Sequence, residues 1–152
     1  MRKPRLRRLE WVFPRVPIYF VTACTHSRES WLACSAIHES LIAFCSRAAE
    51  RGAFVGRYVL MPDHLHLFVA FQPGTITLSG WMKSLKNSLS KVLRAMGKLS
   101  PHWQDGFFDH VLRSSESYEQ KWLYVRDNPV RAGLVPRAED WPYQGEIHSL
   151  QL

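Results

Sequence analysis

The chain lacks the marks of a membrane or secreted protein. None of its apolar runs approaches the roughly 18 residues that a membrane-spanning helix needs. Pro14 and Pro17 interrupt the segment in which a signal peptide would be apolar. No Cys-x-x-Cys spacing suggests a zinc knuckle or a disulfide framework, since the three cysteines are Cys24, Cys34 and Cys45. We therefore expect a cytoplasmic protein with no membrane partner.

Acidic residues are scarce relative to basic ones. Twenty Lys and Arg stand against thirteen Asp and Glu, which leaves a net charge of +7 over 152 residues. A surplus of this size favours polyanionic partners, and nucleic acid before a membrane surface. The length suits a single domain, and no repeat interrupts it. We predict a basic arm over residues 1–15, one domain over residues 16–145 and a C-terminal tail over residues 146–152.

The hydrophobic periodicity predicts a mixture of strands and helices. Period-2 and β-branched patterns predict strands at residues 17–24, 54–60 and 65–71, and residues 103–112 are expected to be extended. Apolar stripes of helical spacing predict helices at residues 36–51, 78–96 and 115–128. The order predicts an α+β fold, a ferredoxin-like sandwich in which helices cover one face of a mainly antiparallel sheet.

Two histidines one residue apart begin the strand at residues 65–71. Side chains at positions i and i+2 of a strand point to the same face, so His64 and His66 can bind one metal ion together. Leu65 and Leu67 then point to the opposite face, where they are expected to join the core. Two histidines on a hairpin can also be ordinary surface residues, and the pair alone does not identify a reaction.

The last predicted helix offers a nucleophile. Its polar side places Tyr124 and Asn128 one turn apart. Tyrosine ionises near pH 10, so it attacks a phosphodiester only where a cation or a base helps it lose its proton. A divalent ion on His64 and His66 would provide that help, and the Asn128 amide oxygen could complete its coordination. Two nitrogen ligands and one oxygen suit Mn²⁺ better than Mg²⁺, although availability favours Mg²⁺.

These motifs resemble those of a known family. The His-Leu-His sequence at positions 64–66 matches the motif of the HUH endonucleases. The more specific sequence Tyr-Val-Arg-Asp-Asn-Pro-Val-Arg-Ala-Gly-Leu-Val at positions 124–135 resembles the signature of REP-associated tyrosine transposases, relatives of the insertion-sequence-200-like transposases. The resemblance extends from Tyr19 through Tyr143 and includes Trp-Gln-Asp-Gly-Phe-Phe-Asp-His at positions 103–110.

The resemblance implies a metal-dependent endonuclease and strand transferase that acts on single-stranded DNA. Tyr124 takes the position of the nucleophile, which becomes linked to the 5′ phosphate and leaves a free 3′ hydroxyl. His64 and His66 take the positions of metal ligands, and Asn128 takes that of a glutamine or asparagine ligand. The substrates it implies are hairpins of repetitive extragenic palindromes. Members of the wider family act as monomers or as homodimers, and the sequence leaves this choice open.

DNA hairpins are bound largely through phosphate contacts, so we expect basic residues to bind the phosphates. Our candidates lie on the arm, on the helix at residues 78–96 and beside the tyrosine: Arg5, Arg7, Arg8, Lys83, Lys86, Lys91, Arg126 and Arg131. Two alternatives remain. One is a phosphodiesterase that uses a metal-bound water, and the other is a nucleic-acid-binding module without catalytic activity.

Overall fold

The computed structural model describes residues 16–150, except for the side chains of residues 115 and 116. Its elements follow one another along the chain as β1 (Ile18–Cys24), α1 (Ser35–Ala48), β2 (Ala53–Leu60), β3 (His64–Phe71), α2 (Leu78–Ala95), β4 (Phe108–Leu112), α3 (Ser115–Arg126), α4 (Asn128–Arg131) and β5 (Gln144–Glu146). Short 3-10 turns lie at His26–Arg28, Ala49–Arg51 and Ala138–Asp140. None of the helices in this part of the chain is long and apolar enough to cross a membrane.

The strands form one five-stranded sheet in the order β4-β1-β3-β2-β5, and all of its pairings are antiparallel. The first six elements alternate as β-α-β-β-α-β with β1 and β3 in the centre, which is the ferredoxin-like arrangement. The structure thus confirms the α+β fold with a mainly antiparallel sheet. The strand β5 extends the sheet beyond β2.

Helices lie against both faces of this sheet. The predicted covering of one face holds for α1 and α2, which bury Leu65 and Leu67 of β3 in the larger core cluster. On the opposite face, Phe68 and Ala70 of the same strand are also buried, in a second cluster that includes α3. Since β3 carries apolar side chains on both sides after His66, it needs a cover on both sides.

The ends of two helices show how local sequence sets boundaries. The first helical segment closes at Gly52, whose φ of +89° is the left-handed conformation expected at a helix C-terminus. We predicted that the last helix would end at Asn128, but α3 ends at Arg126 and a separate short helix starts at Asn128. Pro129 explains the break, because it has no N–H to donate to the carbonyl four residues earlier and its ring crowds that carbonyl.

The C-terminal segment belongs to the domain. The strand β5 includes residue 146, where we placed the start of the tail, and the amides of Ile147 and His148 donate to carbonyls of β2. Leu150 is buried beside α3. The domain boundary therefore moves from residue 145 to Leu150 at least. The predicted arm at residues 1–15, with Arg5, Arg7 and Arg8, lies outside the described residues.

Candidate active site

The two histidines lie side by side on the sheet face that α3 covers in part. His66 pairs with Thr22 of β1 and Val59 of β2, and His64 pairs with Cys24. The two imidazole rings have centroids 4.7 Å apart and planes inclined at 78°. The structure thus brings together the pair that the strand period predicted.

Each imidazole has a hydrogen-bond partner at Nδ1. His64 Nδ1 lies 2.8 Å from Asp63 Oδ1, and His66 Nδ1 lies 2.8 Å from Thr22 Oγ1. His64 Nδ1 also lies 3.3 Å from Arg28 Nη2, which can only donate. The Asp63 carboxylate can only accept and is the nearer of the two, so this contact favours a proton on Nδ1 of His64 and a lone pair on its Nε2. Neither Nε2 is hydrogen-bonded to another residue of the described range. Partners of this kind at Nδ1 orient metal-binding imidazoles in known metal sites.

Both imidazoles are held in the neutral form, which is the form that binds metals. Burial lowers the pKa of His64 against the opposing effect of Asp63. Burial is the main cause that lowers the pKa of His66 to about 3. The positive charges of Lys121, Arg131 and Arg28 lower it as well, and so does His64 whenever it is protonated. At neutral pH both side chains are therefore available as ligands without first losing a proton.

Arg28 approaches the histidines from an unusual backbone conformation. Ser27 and Arg28 both have positive φ, +54° and +53°, a region that residues other than glycine seldom occupy. From there Arg28 Nε donates to Asp63 Oδ2 at 2.9 Å. Burial would raise the pKa of Asp63, but hydrogen bonds from Arg28 and His64 outweigh it, and the net pKa is lowered. Asp63 therefore stays ionised and keeps the His64 ring in its orientation.

A β-bulge in β2 fixes α3 above the site. Residues 56 and 57 together face one residue of β3, so both point toward α3. The Arg57 amide donates to Tyr118 Oη at 3.3 Å, and the Arg57 guanidinium lies 5.6 Å from the Tyr118 ring centroid and 3.1 Å from Glu119 Oε1. A Cβ on Gly56 would lie 2.5 Å from Tyr118 Oη. Only glycine leaves room for the tyrosine there, so the bulge and Tyr118 form a specific docking contact for α3.

Tyr124 lies on the exposed side of α3, with 62% of its surface accessible. The Arg131 guanidinium lies 4.0 Å from its ring centroid and the Lys121 ammonium 5.9 Å. The same ammonium lies 4.8 Å from the ring of Phe20, which stacks on His66 at 5.2 Å. Through these contacts the tyrosine, two cations and the histidines share one side of the sheet.

Asn128 is not free to bind a metal as it stands. Its Oδ1 accepts a hydrogen bond from Arg131 Nη2. Among the residues described, no three side chains of His, Cys, Asp or Glu are grouped so as to hold a metal ion. The candidate metal site therefore consists of His64 and His66. Asn128 is not part of it as it stands, because Arg131 occupies its amide oxygen.

The remaining basic candidates are dispersed. Lys83, Lys86 and Lys91 lie on α2, which covers the sheet face opposite to the histidines. Lys86 Nζ donates to the carbonyls of Gln104 and Gly106, so its charge is used inside the fold. Arg126 is exposed at the end of α3. Of the described candidates, Arg131 is the one that the structure places in contact with the tyrosine.

Comparisons with known proteins identify the family of the chain. The family model described as "Transposase IS200 like" matches residues 17–128, which is most of the chain. The chain belongs to this family. The transposase is 26% identical over 125 residues to the REP-associated tyrosine transposase of Escherichia coli K12, a match that covers 82% of this chain and 73% of the relative.

A solved structure shares the fold of the transposase. It is that of a REP-associated tyrosine transposase bound to a REP hairpin, and it superposes with a TM-score of 0.70 at 24% identity. The match covers 86% of this chain and 76% of the other. Family membership makes this chain a transposase, an enzyme that acts on DNA.

Sequence reasoning missed the residues that support the site. Asp63 stands directly before His64 in the turn, and this position could have marked it as a hydrogen-bond partner for the ring. The helical period places Lys121 on the same side of its helix as Tyr124. The contacts of Thr22 with His66 and of Lys121 with Phe20 gave no such signal, because they arise only through strand pairing and helix packing. The supporting roles of these residues thus depend on contacts that the sequence alone did not assign.

Proposed function

We propose that this transposase cleaves and rejoins single-stranded DNA through a covalent bond between Tyr124 and a 5′ phosphate, at hairpins of repetitive extragenic palindromes. The observation that carries the proposal is an exposed tyrosine beside two cations, on the same side of the sheet as two neutral histidines with free Nε2 atoms. The name of the E. coli relative and the REP hairpin bound to the structural neighbour support the choice of substrate.

In the proposed reaction the Tyr124 phenol oxygen attacks the phosphorus as its proton leaves to solvent. The new O–P bond forms on the 5′ side while the bond from phosphorus to the 3′ oxygen breaks, and that oxygen takes up a proton to become a 3′ hydroxyl. A phosphodiester is exchanged for a phosphotyrosine ester, so no external energy source is needed. Attack by another 3′ hydroxyl would reverse the step and release the tyrosine.

The side chains around Tyr124 have separate tasks in this proposal. The Arg131 guanidinium, against the phenol ring, is placed to pair with phosphate oxygens as a bidentate donor. Lys121 adds a second positive charge between the ring and His66. These cations favour the binding of a phosphodiester at the tyrosine and offset the charge that develops on its oxygens.

A divalent metal ion is the cofactor that this family generally uses. His64 and His66 fit such an ion, since both are neutral, oriented at Nδ1 and open at Nε2. Asn128 could serve as a third ligand once Arg131 releases its amide oxygen, for example to bind phosphate. When bound, the ion would polarise a phosphate oxygen as a Lewis acid. Mn²⁺ or Mg²⁺ is expected, and the nitrogen ligands favour Mn²⁺.

The test is a covalent adduct that survives denaturation. The protein is incubated with labelled single-stranded REP hairpins and Mn²⁺ or Mg²⁺, and then separated on a denaturing gel. We expect an adduct with the wild type and with the control Tyr143→Phe, and none with Tyr124→Phe. His64→Ala should bind the hairpin but lose cleavage. An adduct formed by Tyr124→Phe would refute the assignment of Tyr124 as the nucleophile.

The same experiment distinguishes the alternatives. Cleavage without an adduct would indicate a metal-bound water as the nucleophile. Tight hairpin binding with neither cleavage nor adduct, across both metals, would indicate a binding module.

A further inference from the structure

Phe108 is exposed where a protein usually avoids exposing a large apolar side chain. It opens the edge strand β4, and 70% of its surface is accessible. Its neighbour Phe107 instead packs against the core beneath the sheet. Edge strands of soluble proteins usually carry charged residues at such positions to prevent association. The fold itself therefore gives no reason for a bare phenylalanine ring at this point.

The strand register places Phe108 beside the histidines. Phe108 pairs with Thr22, and Thr22 pairs with His66. Directly paired residues of neighbouring strands share a sheet face, so the Phe108 and His66 side chains rise on the same side. They are two strand spacings apart, which is roughly 9–10 Å. This distance is short enough for the nucleotides on either side of one phosphate to reach both residues.

The cover over this face stops before Phe108. Leu112, at the other end of β4, is buried with α3, whereas Phe108 and His110 stay exposed on the same face. Two cations of the site lie on this face, with the Lys121 ammonium 4.8 Å from the ring centroid of Phe20 and the Arg131 guanidinium 4.0 Å from that of Tyr124. An exposed ring next to positive charges is the combination that binds single-stranded nucleic acid, the ring stacking on bases and the charges pairing with phosphates.

We propose that Phe108 is a stacking platform for an unpaired base of the DNA strand, adjacent to the phosphate that lies at His64 and His66. The inference rests on the proposed function, since it takes the histidine site as the position of the phosphate. A flat apolar ring stacks on any base, so Phe108 contributes affinity and placement of the strand more than sequence specificity. It also explains why the edge of the sheet is left uncovered here.

Binding can be measured apart from cleavage in the Tyr124→Phe protein. A REP hairpin with unpaired flanks carries the fluorescent base 2-aminopurine at one flank position at a time. Stacking on an aromatic ring quenches this base, so we expect quenching at one or two adjacent positions. Phe108→Ala should abolish that quenching and weaken binding about 5- to 150-fold, the range of one base stack. Phe108→Trp should retain both the quenching and the affinity. An abasic nucleotide at the quenched position should weaken hairpin binding by the protein that keeps Phe108, but should not weaken it further in Phe108→Ala.

The matched control is Ile42→Ala, which truncates an exposed apolar residue on α1, over the opposite sheet face. It should leave quenching and affinity unchanged. Equal quenching and affinity in Phe108→Ala would overturn the platform, even if the wild type forms the Tyr124 adduct. Loss of the adduct from the wild type would overturn the proposed chemistry, but Phe108-dependent quenching would still support the platform. If no hairpin binds at all, both proposals fail.

Discussion

Gly56→Ala tests the docking of the tyrosine helix directly. The backbone at Gly56 is not in the left-handed region, so an alanine without contacts there would stabilise the protein by about 0.4–1 kcal/mol through the unfolded chain. In the structure the added methyl group would lie 2.5 Å from Tyr118 Oη and 2.8 Å from Leu150 Cδ1. Both neighbours are buried and cannot turn away freely. A decrease in the free energy of unfolding of Gly56→Ala would therefore support the docking contact, and an increase would contradict it.

The magnitude follows from the same contacts. Forcing an extra methyl group into packed surroundings costs about 1–3 kcal/mol. Displacing the Tyr118 hydroxyl also breaks its hydrogen bond from the Arg57 amide, about 1 kcal/mol. After the gain in the unfolded state, we expect a net loss of about 1–3 kcal/mol in the free energy of unfolding. For a chain of this length that lowers Tm by about 2–12 °C.

Urea unfolding gives the free energies, and a double variant gives the cause. Tyr118→Phe removes the oxygen that the new methyl group meets, so Gly56→Ala combined with Tyr118→Phe should be more stable than the sum of the single effects by about 0.5–1.5 kcal/mol. The double variant should regain only part of the lost free energy of unfolding, because the contact of the new methyl group with Leu150 remains. The rate of adduct formation should follow the same order. A Gly56→Ala protein as stable as the wild type, or strictly additive effects, would refute the docking contact.

Three further predictions concern the same site. Burial raises the pKa of Tyr118 to about 12, against about 10 in an unfolded chain, so its stabilising contribution is complete below pH 10 and is lost as the pH rises toward 12. The wild type should lose about 2–3 kcal/mol more than Tyr118→Phe over that interval in urea unfolding, and parallel pH curves would contradict this. Asp63→Asn should weaken Mn²⁺ binding about 10- to 100-fold, because His64 loses its carboxylate partner. Calorimetric titration measures the affinity, and circular dichroism should show an intact fold. An unchanged affinity would show that Asp63 does not support the metal site. A mixture of His64→Ala and Tyr124→Phe chains should form no adduct if each chain uses its own tyrosine, and recovered adduct formation would show exchange of α3 between chains.

The periodic parts of the fold were predictable from sequence. Alternation placed His64 and His66 on one face with Leu65 and Leu67 on the other, because a strand leaves each side chain only two directions. The glycine at position 52 marked the end of the first helical segment for a reason equally local, its freedom to adopt positive φ. Both predictions depend on neighbours within a few residues.

The docking of α3 was not predictable in this way. The bulge in β2 meets α3 through the contact of Arg57 with Tyr118, and these residues are 61 positions apart along the chain. The strand β5 has three residues, too few to show a period. In the same way nothing local distinguishes Phe107 from Phe108, because the helices that cover each sheet face decide which ring is buried. Such features are set by long-range packing, which a single sequence does not reveal.

The contacts of α3 bear on how many chains build one active site. The helix that carries Tyr124 follows β4 after two residues, Arg113 and Ser114, so it has little chain with which to reach a second sheet. On its own sheet it meets a glycine that leaves room for Tyr118 and an amide that binds the hydroxyl. An exchanged helix would have to reproduce these contacts on the partner's sheet while straining the short connection. Docking within one chain therefore costs less, and we expect the tyrosine and the histidines that act together to come from the same monomer.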